Sequence, residues 1–250
     1  MNIVFEALLL IGVGFFAGII NTMAGGGSLL TLPILIFLGL PPNIANGTNR
    51  VAIVVQNIFT TAGFKSKGVK TFPFSIYVGL SALVGSIIGA KIAVDIKGET
   101  FNKILSVVML LVVGYMVFSS TKKIKNIIEK TSGKHLWVSI FLFFFVGIYG
   151  GFIQAGVGFI MLFVLTSVNN FSLVKSNAIK VTVALIYTVA AVLIFALNDK
   201  INWQVGFELA IGNAIGGWFA SRLSVKKGDG FVKKFLIVAV VVLAIKLWFY

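Results

Sequence analysis

The chain has 250 residues, of which 58% are hydrophobic and only 11% are charged, and its mean hydropathy is +1.05. Soluble domains carry about a quarter charged residues, so this composition excludes a soluble globular domain and predicts an integral membrane protein in contact with the lipid bilayer. The formal net charge is +14, but the lysines crowd into a few loops without an aromatic–basic recognition module, so nucleic acid is not expected as a partner. Cysteine is absent, which excludes disulfides and thiolate metal sites.

Apolar runs separated by breakers predict five hydrophobic segments in each half, and therefore an all-α polytopic membrane protein. The N-terminus lacks a basic n-region and a cleavage site, so the first segment is expected to remain as a membrane helix. In chain order, the predicted segments are 3–23, 28–40, 44–64, 72–94, 101–120, 136–153, 157–169, 173–197, 203–223 and 231–250.

A polar loop with five lysines divides the two sets of segments. We expect a first transmembrane repeat over residues 1–120, a basic cytoplasmic linker over 121–135 and a second repeat over 136–250. Each half alone would leave a site-lining face uncovered, so the repeats are predicted to form one integrated membrane domain.

The second segment of each half, 28–40 and 157–169, is too short to cross a bilayer at 1.5 Å per residue. Each follows a glycine cluster that permits a sharp change of direction. Two alternatives are short tilted helices and re-entrant half-helices. We favour glycine-broken, partly re-entrant helices, which gives between eight and ten helices in total.

The first half recurs in the second about 130 residues later. The glycine-rich stretch 18–28 corresponds to 151–159, and Arg50 corresponds to Lys180. Spaced small residues also recur, and such ridges let helices pack closely within a chain or between the subunits of a homo-oligomer. The small-residue ridges are Gly14-x3-Gly18 with Gly147-x3-Gly151, and Ser81-x3-Gly85-x3-Gly89 with Gly212-x3-Gly216-x3-Ala220.

The charges of the loops predict topology. Loops 65–70, 122–134 and 222–234 are strongly basic, whereas loops 95–99 and 199–200 are nearly balanced. If the basic loops are cytoplasmic, equivalent loops of the two halves lie on opposite sides of the membrane. The pattern thus predicts two inverted-topology repeats with both termini outside.

The two glycine breaks form the first candidate binding constellation. Glycine leaves backbone N–H groups accessible to a ligand, and a helix that starts there directs its positive end inward, which suits an anion. The alternative is a packing kink without a ligand. The candidates are Asn21, Thr22, Gly25, Gly26, Gly27 and Ser28, with Gln154, Gly156 and Gly158 in the second half.

The second constellation places a cation in each half. Arg50 and Lys180 lie inside apolar segments, where a central charge costs about 3 kcal/mol; snorkelling to the interface is the alternative. Replacing either with Gln is expected to weaken anion uptake and to leave folding largely intact. The candidate residues are Asn46, Thr48, Asn49 and Arg50, matched by Asn177 and Lys180.

Carboxylates are scarce: within apolar segments only Glu6 and Glu208 occur, each near an end. No paired acids, metal-ligand cluster or nucleophile–base set is visible, so neither an enzyme nor a cofactor is expected. A carrier of cations would need buried acids that this chain lacks.

The pattern of residues 18–28 followed by Leu32-Pro33, then 45–49 and 151–158, resembles the sulfite exporter TauE/SafE (TSUP) family of membrane transporters. The resemblance covers essentially the whole chain. It implies a transporter of sulfur-containing anions such as sulfite, thiosulfate, sulfoacetate or sulfonates.

We therefore expect a multi-pass cell-membrane permease or exporter whose small anionic substrate binds between the glycine breaks and crosses by alternating access. The alternatives are a carrier of a neutral or other organic solute and a non-transporting membrane assembly protein.

Overall fold

The computed structural model describes residues 3–105, 107 and 128–248, and within these residues the secondary structure is helical. The all-α class is thereby confirmed. Most of predicted segment 101–120 and residues 121–127 of the predicted linker lie outside the described residues; residues 98–105 are helical. The helices are α1 (Ile3–Met23), α2 (Ser28–Phe37), α3 (Pro42–Lys65), α4 (Phe74–Asp95), α5 (Gly133–Phe152), α6 (Val157–Ser167), α7 (Leu173–Leu197) and α8 (Trp203–Trp248).

Four of these helices, α1, α4, α5 and α7, are long and apolar enough to cross a membrane by length and composition. The segments predicted at 203–223 and 231–250 correspond to two helices within the range labelled α8, separated by a break at Gly228. Gly228 adopts φ 74° and ψ −176°, non-helical values that glycine tolerates, so the first helix ends there and the second begins after it.

The short helices α2 and α6 have 10 and 11 residues, which corresponds to about 15 Å and to half of a bilayer core of about 30 Å. Gly25 precedes α2 with φ 90°, and Gly156 precedes α6 with φ 73°. These left-handed glycines turn the chain sharply between consecutive helices.

Both short helices return the chain to the side from which it came. Glu6, near the start of α1, lies in one surface depression with Leu38 to Pro41, which follow α2. In the second half, Asn169 after α6 accepts from the backbone of Lys130, just before α5. Helices α2 and α6 thus return the chain toward the sides on which α1 and α5 begin, which is the geometry expected of partly re-entrant helices.

The predicted small-residue ridges pack within the chain. Gly14 lies against the backbone of Leu209 and Asn213, and Gly18 lies against Asn213 and Gly217. A Cβ atom at either glycine would overlap that backbone, so α1 and α8 approach each other as only glycine allows. Residue numbers increase together along the contact, so the two helices run parallel.

The same packing joins α4 to α5. Gly85 lies against the backbone of Phe144, and Gly89 lies against Ile148 and Phe152. Here too the residue numbers rise together. The first helix of each half thus runs parallel to the fourth helix of the other half, and the two halves are intertwined.

Helices α3 and α7 run antiparallel between these outer pairs. The start of α3 meets the end of α7, where Gly47 lies against Phe195. The end of α3 meets the start of α7, where Phe64 packs with Ala178 and Val181. These two helices carry the candidate cations.

The loops fall on two opposite faces. On the first, which we call the balanced face (residues 38–41, 95–98 and 198–202), Lys200 lies against Gly47. On the second, the basic face (residues 65–73, 128–132, 168–172 and 222–229), the carboxylate of Asp229 accepts from the N–H groups of Leu173 and Val174. The described parts of the three basic loops therefore share one side.

Candidate functional site

The two glycine breaks meet at the centre of the molecule. Gly25, after α1, is in direct backbone contact with Gly158 at the start of α6, and a Cβ atom on either would overlap the other. The ends of α1 and α5 and the starts of α2 and α6 are thereby brought together. The predicted juxtaposition of the breaks is present.

The end of α5 is capped by side chains of α3. Asn46 donates from Nδ2 to the carbonyl of Phe152 at 2.9 Å. The guanidinium of Arg50 donates to the carbonyls of Gly150 at 2.9 Å and Gly151 at 2.7 Å. We call Asn46 and Arg50 the α5 cap.

The end of α1 is capped in the same way by α7. Asn177 donates from Nδ2 to the carbonyl of Met23 at 3.1 Å. The ammonium of Lys180 donates to the carbonyls of Asn21 at 2.8 Å and Thr22 at 3.0 Å. We call Asn177 and Lys180 the α1 cap.

The two caps are reciprocal, because each half of the chain satisfies the last three carbonyls of the other half's broken helix. Those carbonyls have no partner within their own helix and carry the negative end of its dipole. Hydrocarbon offers no water to pair them. Each cap is also held internally: Arg50 donates to Asn46 Oδ1 at 3.3 Å, and Lys180 donates to Asn177 Oδ1 at 2.6 Å.

Both cations are buried and do not snorkel. The exposed fraction is 0% for Arg50 and 3% for Lys180. The guanidinium of Arg50 also lies over the ring of Phe195, with 4.9 Å from Cζ to the ring centroid. The alternative in which these side chains extend to the membrane interface is therefore wrong.

The buried cations are not paired with acids. All seven acidic residues of the chain fall among the described residues, and none contacts Arg50 or Lys180. Glu99 pairs with Lys103, and Glu129 pairs with Lys175. The centre thus holds two formal positive charges, opposed by helix ends worth about half a charge each.

Gln154, in the break after α5, connects the α5 cap to α7. Its Oε1 accepts from Arg50 at 3.2 Å, and its Nε2 donates to the hydroxyl of Tyr187 at 3.0 Å. Tyr187 is fully buried and was not among the predicted site residues. The sequence signal that could have identified Tyr187 is its position in an apolar segment, seven residues after Lys180.

Helix α2 is fastened to α3 through Asn49. The amide of Asn49 donates to Ser28 Oγ at 3.1 Å and accepts from Thr31 Oγ1 at 2.7 Å. Thr31 was also not among the predicted site residues, although it lies one turn after Ser28 on the same helix face. This link fixes the N-terminus of α2 beside the centre.

A further polar link joins α1 to α3. Asn21 donates from Nδ2 to Gln56 Oε1 at 3.2 Å, and Gln56 lies 3.5 Å from Thr22 Oγ1. The predicted residues of the first break are therefore held by side chains of their own half, in addition to the α1 cap.

Some predicted residues have a packing role or lie away from the breaks. Thr48 is not brought to them, because its Oγ1 accepts from the N–H of Asn202 at the balanced face. Gly26 lies against the ring of Phe159, and Gly27 lies against Ala17 of α1. Apart from Asn21, which is half-buried, all the predicted site residues are buried. In this conformation the centre is closed to solvent and does not form an open pocket.

No group of three metal-ligating side chains occurs in the described ranges. The arrangement instead gathers a guanidinium, an ammonium and side-chain amides, whose donors are engaged by oxygens of the chain in this closed conformation. The N–H groups of Leu29, Leu30 and Phe159, near the starts of α2 and α6, are likewise bonded to backbone carbonyls. Such a set binds the oxygen atoms of anions.

The sequence profile of the family described as Sulfite exporter TauE/SafE matches residues 10–247. The chain belongs to this family. Among TauE/SafE relatives, a probable membrane transporter protein of Haemophilus influenzae is 27% identical over 92% of this chain and 89% of its own length. The probable membrane transporter protein YfcA of Escherichia coli K12 is 26% identical over 96% of this chain and 90% of its own. No solved structure matches.

Membership in the TauE/SafE family, together with four helices long and apolar enough to cross a membrane, establishes a multi-pass membrane protein of the transporter class. The names of the relatives describe transporters and not enzymes, which agrees only indirectly with the expectation from sequence that the chain is not an enzyme.

Proposed function

We propose that this TauE/SafE protein is a permease or exporter of a small anion, and that the anion is a sulfur-containing oxyanion or an organosulfonate. One observation supports this above the others. Two buried cations, one from each half, lie at the meeting point of the breaks without a carboxylate partner.

Charge balance favours an anion. The ends of α1 and α5 offset about one of the two positive charges, and the starts of α2 and α6 add about one more. A cation would be repelled from this centre, and a neutral solute would leave the excess charge in a medium of low dielectric. An anion offsets it.

The sulfur-containing class is supported by the family description. A tetrahedral or pyramidal oxyanion has three or more acceptor atoms, which suits donors with several N–H groups, such as the guanidinium of Arg50 and the ammonium of Lys180. When the anion binds, each cation replaces a hydrogen bond to a helix carbonyl with a hydrogen bond to a substrate oxygen.

Alternating access is proposed as the mechanism, with the two halves as inverted repeats. The parallel pairs α1–α8 and α4–α5, combined with the antiparallel pair α3–α7, support opposite directions for equivalent helices of the two halves. Because each cap joins one half to the other, rocking of the halves would break and re-form the caps in turn.

The proposal is tested by thermal unfolding of the purified protein in sulfite, thiosulfate, sulfoacetate and chloride. A ligand at 100 times its Kd adds about 2.7 kcal/mol, which raises the Tm by about 5–10 °C at this chain length. We expect stabilisation by one or more of the sulfur anions and none by chloride, with matching uptake into proteoliposomes. Stabilisation by a neutral solute alone, or by none of the compounds with no flux, would refute it.

A further inference from the structure

The proposed anion site includes a residue of α3 that lies beyond the caps. Asn57 is 1% exposed, yet among the described residues neither its Nδ2 nor its Oδ1 has a hydrogen-bond partner. Every other buried asparagine side chain of α3, at positions 46 and 49, is fully engaged. An unpaired buried amide opposes folding, so a packing role alone does not account for Asn57.

The position of Asn57 relates it to the buried cations. It lies seven residues after Arg50, which is two helical turns, so it shares the helix face of Arg50 about 10 Å further along. The Nε atom of Arg50 is also buried without a partner. Arg50 Nε and the amide of Asn57 therefore lie along one stripe of α3.

The opposite side of this stripe is α7. Arg50 of α3 lies over Phe195 of α7, and Phe64 of α3 packs with Val181 of α7. Asn57 is midway between the two α3 residues and Thr188 is midway between the two α7 residues. Asn57 and Thr188 therefore lie at the same level along this antiparallel pair. Thr188 and Tyr187 are the residues that face Gln154. Asn57 is thus at the same height as the polar group that links the second break to α7.

We propose, on the basis of the anion-transport function above, that Asn57 contacts the translocated oxyanion when the two halves separate. Its Nδ2 donates to an oxyanion oxygen after the anion has left Arg50, whose Nε donates to the anion about 10 Å earlier along the same helix face. The amide oxygen of Asn57 accepts from a water molecule that enters with the anion. A hydrated small oxyanion supplies both the acceptor and the donor that this amide lacks.

The test compares Asn57→Leu with Asn49→Leu, a matched control on the same helix whose amide atoms are both paired. Without added anion, Asn57→Leu is expected to raise the Tm by about 2–6 °C because it removes unpaired polar atoms, whereas Asn49→Leu lowers it. In sulfite, thiosulfate or sulfoacetate, whichever stabilises the wild type, Asn57→Leu is expected to lose at least tenfold in apparent affinity.

A structural role for Asn57 makes the opposite prediction, namely a lower Tm for Asn57→Leu with unchanged anion affinity in the folded fraction, and this result would overturn the inference alone. If leucine prevents folding, Asn57→Ala reports the same loss of anion affinity, and a wild-type affinity in that variant also overturns it. If no anion stabilises the wild-type protein, the inference and the proposed function fall together.

Discussion

Arg50 and Lys180 perform equivalent tasks with different chemistry. The planar fork of Arg50 reaches two helix carbonyls, Gln154 and Asn46, whereas Lys180 is a point charge that reaches two carbonyls and Asn177. An arginine and a lysine are not interchangeable at such a site, since only the former holds a bidentate geometry. The two halves therefore carry unequal donors at their caps, and under the proposed function the substrate meets both kinds.

The first prediction concerns neutral replacements of these cations. Arg50→Gln is expected to abolish anion-dependent stabilisation and to lower uptake at least tenfold. It is also expected to destabilise the protein by roughly 2–4 kcal/mol, because buried carbonyls of α5 lose their donors. This revises the expectation from sequence that folding would be largely unaffected. Uptake into proteoliposomes and thermal unfolding measure the two effects.

The control for that variant is Lys91→Gln, which removes an exposed cation near the end of α4. It should leave both stability and anion response close to those of the wild type, because an exposed charge contributes about 0–1 kcal/mol. If Arg50→Gln behaves like this control, the α5 cap has neither of the roles assigned to it.

A second prediction tests whether charge alone is sufficient. Arg50→Lys keeps the positive charge but loses the fork, so it is expected to retain anion-dependent stabilisation and to lose at least part of the capping energy, about 1–2 kcal/mol. Thermal unfolding with and without sulfite separates the two contributions. Equal loss of anion response in Arg50→Lys and Arg50→Gln would show that geometry, and not charge, governs binding.

At the scale of helices, the contact between the breaks determines where the four helix ends meet. Gly25 and Gly158 touch through their backbones, which brings the break after α1 against the start of α6. The caps of α1 and α5 depend on it, because a shift of either break moves the carbonyls that the caps bind. A methyl group at this point would therefore affect both caps together.

The third prediction follows from this contact. Gly158→Ala is expected to destabilise the protein by roughly 3 kcal/mol or more and to abolish transport, since its Cβ has no space beside Gly25. Gly12→Ala is the control, because Gly12 lies in α1 with no atom near its Cβ position. That variant should gain about 0.5–1 kcal/mol. Similar stabilities for the two variants would contradict the close approach of the breaks.

Much of this arrangement was predictable from local sequence, and the rest was not. Short half-helices, the equivalence of Arg50 with Lys180 and the small-residue ridges follow from composition and spacing within a single segment. The carbonyls that the cations bind lie 100 to 159 residues away, and no local pattern encodes such pairs. Tyr187 was missed for the same reason, because its partner Gln154 lies in another segment. Thr48 was wrongly assigned to the breaks because its actual partner, Asn202, is also distant in sequence.

For the whole molecule, the distribution of charge on the two faces determines orientation. The exposed lysines at positions 65, 67, 70 and 130 lie on the basic face, which the positive-inside rule assigns to the cytoplasm. The balanced face, which includes the start of α1, is then outside. Under the proposed function, an anion that crosses between the faces meets the two cations on its way.

The fourth prediction tests this orientation with single cysteines, which is straightforward because the chain has none of its own. Asn198→Cys, exposed on the balanced face, is expected to react with a membrane-impermeant maleimide on intact cells. Ser66→Cys, exposed on the basic face, is expected to react only after permeabilisation. Labelling of both positions from the same side would exclude the proposed topology.

The reciprocal caps also have a consequence for biosynthesis. The carbonyl of Thr22 binds the ammonium of Lys180, which lies 158 residues later in the chain. At a translation rate of roughly 5–20 residues per second, Lys180 is synthesised about 8–30 s after Thr22, and the carbonyl lacks this partner during that time. During that interval the nascent first half is inserted but incomplete, and quality-control proteases or a chaperone of the insertion machinery would meet it in that condition. A truncated chain that stops before α7 lacks Lys180 and would remain in this incomplete state.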